Sequence, residues 1–391
     1  MKPLDRINYL QKKLKEQDLA GALLAYSRNV FYYTGTAQPS YLAVLPDDYR
    51  LFVRSGYDFA RKDVFQGIEN VEEERRLDNI SKKLSGKFQG GNRRIGTELD
   101  ILTVEQFGQF RKAFHDCEFV NISPAILDER KTKDAGEIER IRAACRAIHQ
   151  GHEAVLASLK EGVTELELAA AVENAHRLAG HEGIFFIRQP DFFMSRGPIS
   201  SGENLFKTSG VVYTITGVGL SASVPAGPSR RRLAQGDLLM VDIPVHVGGY
   251  HADQTRTYCV GKAGTETMTM YNDLKAIADH LIERMKAGMK CSDIYKMAVE
   301  KAAALGRETQ FQSFGGGKRS RLIGHGIGIE LNEPPIPSEY DNSPVDNGYV
   351  IALDMHMLDE SAGVVKLEDM ILIKEDGNEI LTTTDRVLFE V

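Results

Sequence analysis

Apolar residues recur at Leu4, Ile7, Leu10 and Leu14, with lysines on the other side of the turn, and predict an amphipathic helix at the start of the chain. The short apolar runs AGALLAY (20–26) and YLAVLP (41–46) suit buried strands, and NISKKLSGKF (79–88) suits a surface helix. This alternation predicts a small α/β domain over residues 1–130. The texture then changes. Asp134 and Glu137 form a capping box, and Ile138, Ile141, Cys145, Ile148 and Val155 continue an apolar stripe at helical spacing.

The second domain, residues 131–391, adds a helix around TELELAAAVENAHRLAG, with Thr164 as cap and Gly180 as stop. Strands are expected at VVYTITG (211–217), DLLMVDIPVHV (237–247), YHADQTRTYCV (250–260), VIALDMHML (350–358) and VKLEDMILIKE (365–375). A helical pair, 271–288 and 292–306, separates the two strand groups. The fold class read from this order is α+β: a small N-terminal α/β domain, then a large mixed sheet backed by helices.

Composition narrows the function. Of 391 residues, 42% are hydrophobic and 26% charged, as in ordinary globular enzymes, and the net charge of −7 argues against a nucleic-acid partner. No apolar run approaches the ~18 residues of a membrane span, and the first 21 residues lack a signal-peptide core, so a cytoplasmic protein is expected. Cys117, Cys145, Cys259 and Cys291 are scattered and read as reduced thiols.

The chemistry sits in acids placed where strands should be apolar. Asp242 lies in LLMVDI, and Asp253 follows after ten intervening residues that include Gly248 and Gly249, so a hairpin would set the two carboxylates roughly opposite each other. Asp354 and Glu368 are each embedded in apolar strands, where an unpaired charge costs several kcal/mol. His325 stands between glycines in GHGIG. Four carboxylates and an imidazole suit a pair of divalent ions such as Mn, Co, Zn or Fe. GHGIG does not lead into a helix, which argues against a dinucleotide site, and FGGGKRS lacks phosphate-loop spacing and reads as a flexible loop near the site.

LAGALLAYSRNVFYYTGT, RKTKDAGEIERIRAACRAIHQG, RLAQGDLLMVD, GYHADQTRT, GHGIG and KLEDMILI occur in an order that resembles the two-domain pita-bread metallopeptidases of family M24, which include Xaa-Pro dipeptidase (prolidase), aminopeptidase P and creatinase. The resemblance implies a creatinase-like N-terminal domain and a pita-bread catalytic domain. It also implies a homodimer and a short peptide or peptide-like substrate. By position, Asp242 and Glu368 would serve a first metal ion, Asp253 and Glu368 would bridge, and His325 with Asp354 would complete a second. In the peptidases such a metal pair activates water against the scissile carbonyl.

Three positions depart from the family. Asp354 replaces a glutamate and is shorter by ~1.5 Å, so a weaker second ion is expected there, with the first site filling earlier. Asn332 and about Pro225 stand where the peptidases carry histidines that bind the substrate carbonyl and steady the charged intermediate. Losing one such donor typically costs ~10²–10³ in rate. Asn332 is retained as a catalytic candidate together with Glu368, since its amide hydrogen-bonds a carbonyl although it carries no proton. Strand parity puts His246, His251 and His356 on the faces of nearby acids. His251, His356 and Lys366 are therefore candidate substrate-binding residues, with Arg188 and Arg256 as further carboxylate binders. The expected function is a metal-dependent hydrolase of Xaa-Pro peptidase type. The alternatives are a catalytically silent binding or regulatory protein, or an enzyme on a non-peptide substrate.

Overall fold

Within the first unit, Gly21–Leu24 and Ser40–Leu45 are buried along their whole length, because both faces of their sheet are covered. Its six strands run in the order Val71–Glu73, Asp48–Val53, Ser40–Leu45, Gly21–Leu24, Arg94–Thr97, Glu118–Asn121, with parallel and antiparallel pairs mixed. The opening helix, Pro3–Glu16, buries Ile7, Leu10 and Leu14 and leaves Leu4 at the exposed end of the stripe. The structure, a computed structural model, describes residues 3–87, 93–189, 196–210 and 214–391. It divides into two compact units, 1–130 and 131–391.

The second unit opens with helix Ala135–Ser158. Asp134 accepts a hydrogen bond from the Glu137 amide, and the Glu137 carboxylate accepts one from the Asp134 amide, both at 2.9 Å. Helix Glu165–Leu178, capped the same way by Thr164 and Glu167, lies against it. The contact is close because Gly151 has no side chain: a Cβ there would fall 2.0 Å from His176 Nε2.

The expected single large sheet is divided in two. One sheet orders Phe389–Glu390, Thr255–Cys259, Leu238–Asp242 and Ile199–Ser201, and the other His325–Gly326, Val350–Asp359, Gly363–Leu372 and Glu379–Ile380. Val245–Val247 and Tyr250–Ala252 form a separate hairpin. The run 211–217 begins outside the described residues, and its remainder makes only an isolated bridge at Gly217. Helices Thr265–Arg284 and Cys291–Ala304 share one core with Ile351, Leu353, Met355, Met357, Val365 and Leu367. Those strand residues alternate with Asp354, His356, Lys366 and Glu368, so the four polar side chains belong to the face turned away from the helices. No helix among the described residues is long and apolar enough to cross a membrane.

Candidate active site

Ten consecutive pairs lock Val350–Asp359 to Gly363–Leu372, with Asp354 directly opposite Glu368 and His356 opposite Lys366. The neighbouring sheet sets Asp242 across from Thr255, whose hydroxyl donates to Glu368 Oε2 at 2.8 Å and links the two sheets at the acids. Asp253 lies just beyond strand Tyr250–Ala252 and is therefore not paired with Asp242, though both reach the same place. His325 enters from the edge strand, paired with Ala352. Its flanking glycines make room for backbone rather than ligand: a Cβ on Gly324 would lie 2.2 Å from Ala352 O, and one on Gly326 2.5 Å from Pro334 O.

These five residues line a cavity of about 390 Å³. Ile187, Pro198, Ala226, Leu322, Leu331 and Ile336 make its walls largely apolar, and Arg188, Gln189, Thr216 and Asn332 add polar groups. Asp253 Oδ2 and Glu368 Oε1 lie 3.9 and 3.8 Å from His325 Nε2. One ligand atom from each of the three fits within 4.8 Å of the others, and all three residues are buried. Ligands at ~2.1 Å from a tetrahedral ion sit about 3.4 Å apart, so a small contraction would close the set. His325 Nδ1 faces the Gly326 carbonyl at 3.1 Å, which favours a proton there and a lone pair on Nε2 for an ion. Glu368 Oε1 is buried without a hydrogen-bond partner, as expected of an oxygen held for a cation.

The electrostatics agree. Burial, followed by the charge of Asp242, pushes the Asp253 carboxyl well above the usual carboxylate range; burial and then Asp253 do the same to Glu368. Burial lowers His325 and keeps its imidazole neutral, the form that ligates metal. Asp242 is raised by burial too, but the Lys366 ammonium opposes the shift. Asp253, His325 and Glu368 thus fit a divalent ion.

The other half of the floor differs from expectation. Lys366 is not on the cavity wall and is not available to a substrate carboxylate. Its Nζ lies 2.5 Å from Asp242 Oδ2, 3.0 Å from Asp354 Oδ1 and 3.9 Å from Glu368 Oε2, with the side chain fully enclosed. Burial alone would lower this lysine, yet Asp242, Asp354 and Glu368 together hold it above its ordinary value and charged. Asp242 is engaged by the lysine, and the compact set of possible ligands is the one that contains His325.

The candidate histidines also serve other ends. His356 does share the Asp354 face, but its Nε2 lies 3.0 Å from Ser313 O, its ring packs on Phe314, and burial lowers its pKa to about 4. His251 Nε2 accepts from the Phe186 amide at 3.1 Å and its Nδ1 lies 3.0 Å from Gly328 O. It thereby fastens the segment leading to Ile187 and Arg188 rather than facing the cavity itself. Parity fails for His246 because Pro244 interrupts the strand; its Nδ1 lies 2.7 Å from Glu182. Arg256 is buried and donates to Glu368 O at 2.7 Å and Asp369 at 2.6 Å, which braces the backbone behind the site. Arg188 is on the wall, 3.5 Å from the buried Glu330. The 313–319 loop is a hairpin whose Ser313 carbonyl meets His356, and it is not on the cavity wall. The sequence reading missed Thr255, because it set Asp253 opposite Asp242, where the strand pairing puts Thr255.

Comparison with known proteins agrees with the two-unit division. The family model "Metallopeptidase family M24" matches residues 139–375, and "Creatinase/Prolidase N-terminal domain" matches residues 6–132. An Xaa-Pro dipeptidase of Pyrococcus furiosus is 27% identical over 388 residues, covering 98% of this chain and 99% of the relative. The solved prolidase of Pyrococcus furiosus has a TM-score of 0.76 at 26% identity, with 96% and 99% of the two chains covered. The prolidase structure from Pyrococcus horikoshii shares the fold, with a TM-score of 0.80 at 24% identity and 98% and 99% coverage. The chain is a member of metallopeptidase family M24, with a creatinase-like N-terminal domain and a pita-bread catalytic domain.

Proposed function

We propose that the protein is a metal-dependent hydrolase of short Xaa-Pro peptides with slow turnover. The observation that carries this reading is the Asp253, His325 and Glu368 cluster on the floor of an apolar-walled cavity of about 390 Å³. A divalent ion held there supplies Lewis acidity, polarising a carbonyl and lowering the pKa of water toward neutrality. The chain's own groups do the rest. Leu331, Ile336 and Ile187 exclude water and accept apolar substrate side chains, including a proline ring. Arg188 and Gln189 offer donors to a peptide carboxylate. The amide of Asn332 donates to the scissile carbonyl oxygen but passes no proton, so one donor worth ~10²–10³ in rate is only partly replaced.

A panel of Xaa-Pro dipeptides, assayed with Mn and with a chelator, tests the reading. The expected result is slow hydrolysis that requires metal. Turnover in the ordinary range of about 1–10³ per second would show that Asn332 is no handicap. No cleavage of any dipeptide by metal-loaded protein would exclude the peptidase reading.

A further inference from the structure

We infer that this centre takes one divalent ion, at Asp253, His325 and Glu368, because the Lys366 ammonium occupies the position between Asp242 and Asp354. The inference rests on the metallohydrolase reading above and specifies its metal content.

Three features carry it. The first is occupancy. Lys366 Nζ donates a hydrogen bond to Asp242 Oδ2 at 2.5 Å and lies within ion-pair distance of Asp354 at 3.0 Å and Glu368 at 3.9 Å. A second ion that used Asp242 would need its carboxylate oxygen at ~2.0–2.2 Å, where the Lys366 nitrogen already lies at 2.5 Å.

The second is confinement. The Lys366 backbone exchanges hydrogen bonds with the Thr257 hydroxyl, at 2.9 Å from its amide and 2.8 Å to its carbonyl, and the residue is paired opposite His356. Its side chain has no exposed surface and no place on the cavity wall. The ammonium therefore has no solvent to retreat into when a metal ion arrives.

The third is selectivity within the cluster. Of the five ligand candidates, Asp253, His325 and Glu368 form a set compact enough for one ion, and Asp242 and Asp354 fall outside it. Four carboxylates, one ammonium and one divalent ion leave one excess negative charge. A second divalent ion would make the buried site net positive.

The test uses the full chain, loaded with excess Mn(II), freed of loose metal and read by elemental analysis and EPR. The expected result is one Mn per chain with an uncoupled six-line spectrum. The Lys366→Met variant should take up two, with a spin-coupled signal. Two ions in the wild type overturn this inference and leave the metallohydrolase reading standing; one ion in both proteins also overturns it. An empty wild type, whatever the variant binds, removes both. Should Lys366→Met not fold, Asp354→Asn asks the same question: it should keep its single ion, and losing that ion overturns the inference.

Discussion

Asp242 and Asp253 are the same side chain at the same depth of one cavity, both under 6% exposed. They answer the cost of a buried charge in opposite ways. Asp242 has a covalently tethered cation 2.5 Å away, whereas Asp253 faces a neutral imidazole and a second carboxylate and feels Lys366 without an ion-pair contact to it. The lesson is that acids buried at one site need not share one purpose. One half of this floor resembles a structural ion pair, and the other is a set of donors suited to a cation.

Glu368 touches both halves, and removing it should do most damage. Glu368→Ala is expected to abolish metal-dependent hydrolysis and to weaken Mn binding well beyond the ~10–100-fold that an outer partner costs. Calorimetric titration that returned wild-type affinity would break the assignment of this residue to the ion.

The paired variants Asp253→Ala and Asp242→Ala probe the contrast directly. Asp253→Ala should lose the ion while keeping or raising the stability of the metal-free protein, since a repelling buried carboxylate disappears. Asp242→Ala should retain more metal affinity but cost about 3–5 kcal/mol, because Lys366 keeps only its weaker partners. Denaturant unfolding with and without Mn separates these outcomes, and equal behaviour of the two would erase the distinction.

A buried histidine that is not on the cavity wall provides a control. His176, fully enclosed beside Gly151, is lowered to about 4 by burial. Its folded pKa lies below the unfolded value of 6.5, so the unfolded chain binds the extra proton first. The stability contribution is intact above pH 6.5 and falls by about 3 kcal/mol as pH drops to 4. In metal-free protein, His176→Gln should flatten this part of the stability profile; an unchanged slope would assign it to other groups.

The smallest effect is expected at Thr255, whose hydroxyl holds Glu368 Oε2 at 2.8 Å. Thr255→Val keeps the shape and should weaken Mn binding by roughly 10-fold without altering its stoichiometry. A loss as large as that of Glu368→Ala would mean that the hydroxyl does more than orient the carboxylate.

Much of this arrangement was legible along the chain. The capped helices at Asp134 and Thr164 follow from local hydrogen bonding, and acids inside VIALDMHML and VKLEDMILI stood out because an apolar strand gives them no solvent. The ordered motifs identified the family, and alternation placed Asp354, His356, Lys366 and Glu368 on one face. Alternation fixes a direction, however, and not a neighbour. Only the tertiary structure set Lys366 against Asp242, 124 positions away on another sheet, turned His251 toward the Phe186 and Gly328 backbone, and left Asp253 to His325. Those outcomes depend on which groups converge within about 4 Å when two sheets meet, a long-range packing result that no local spacing encodes.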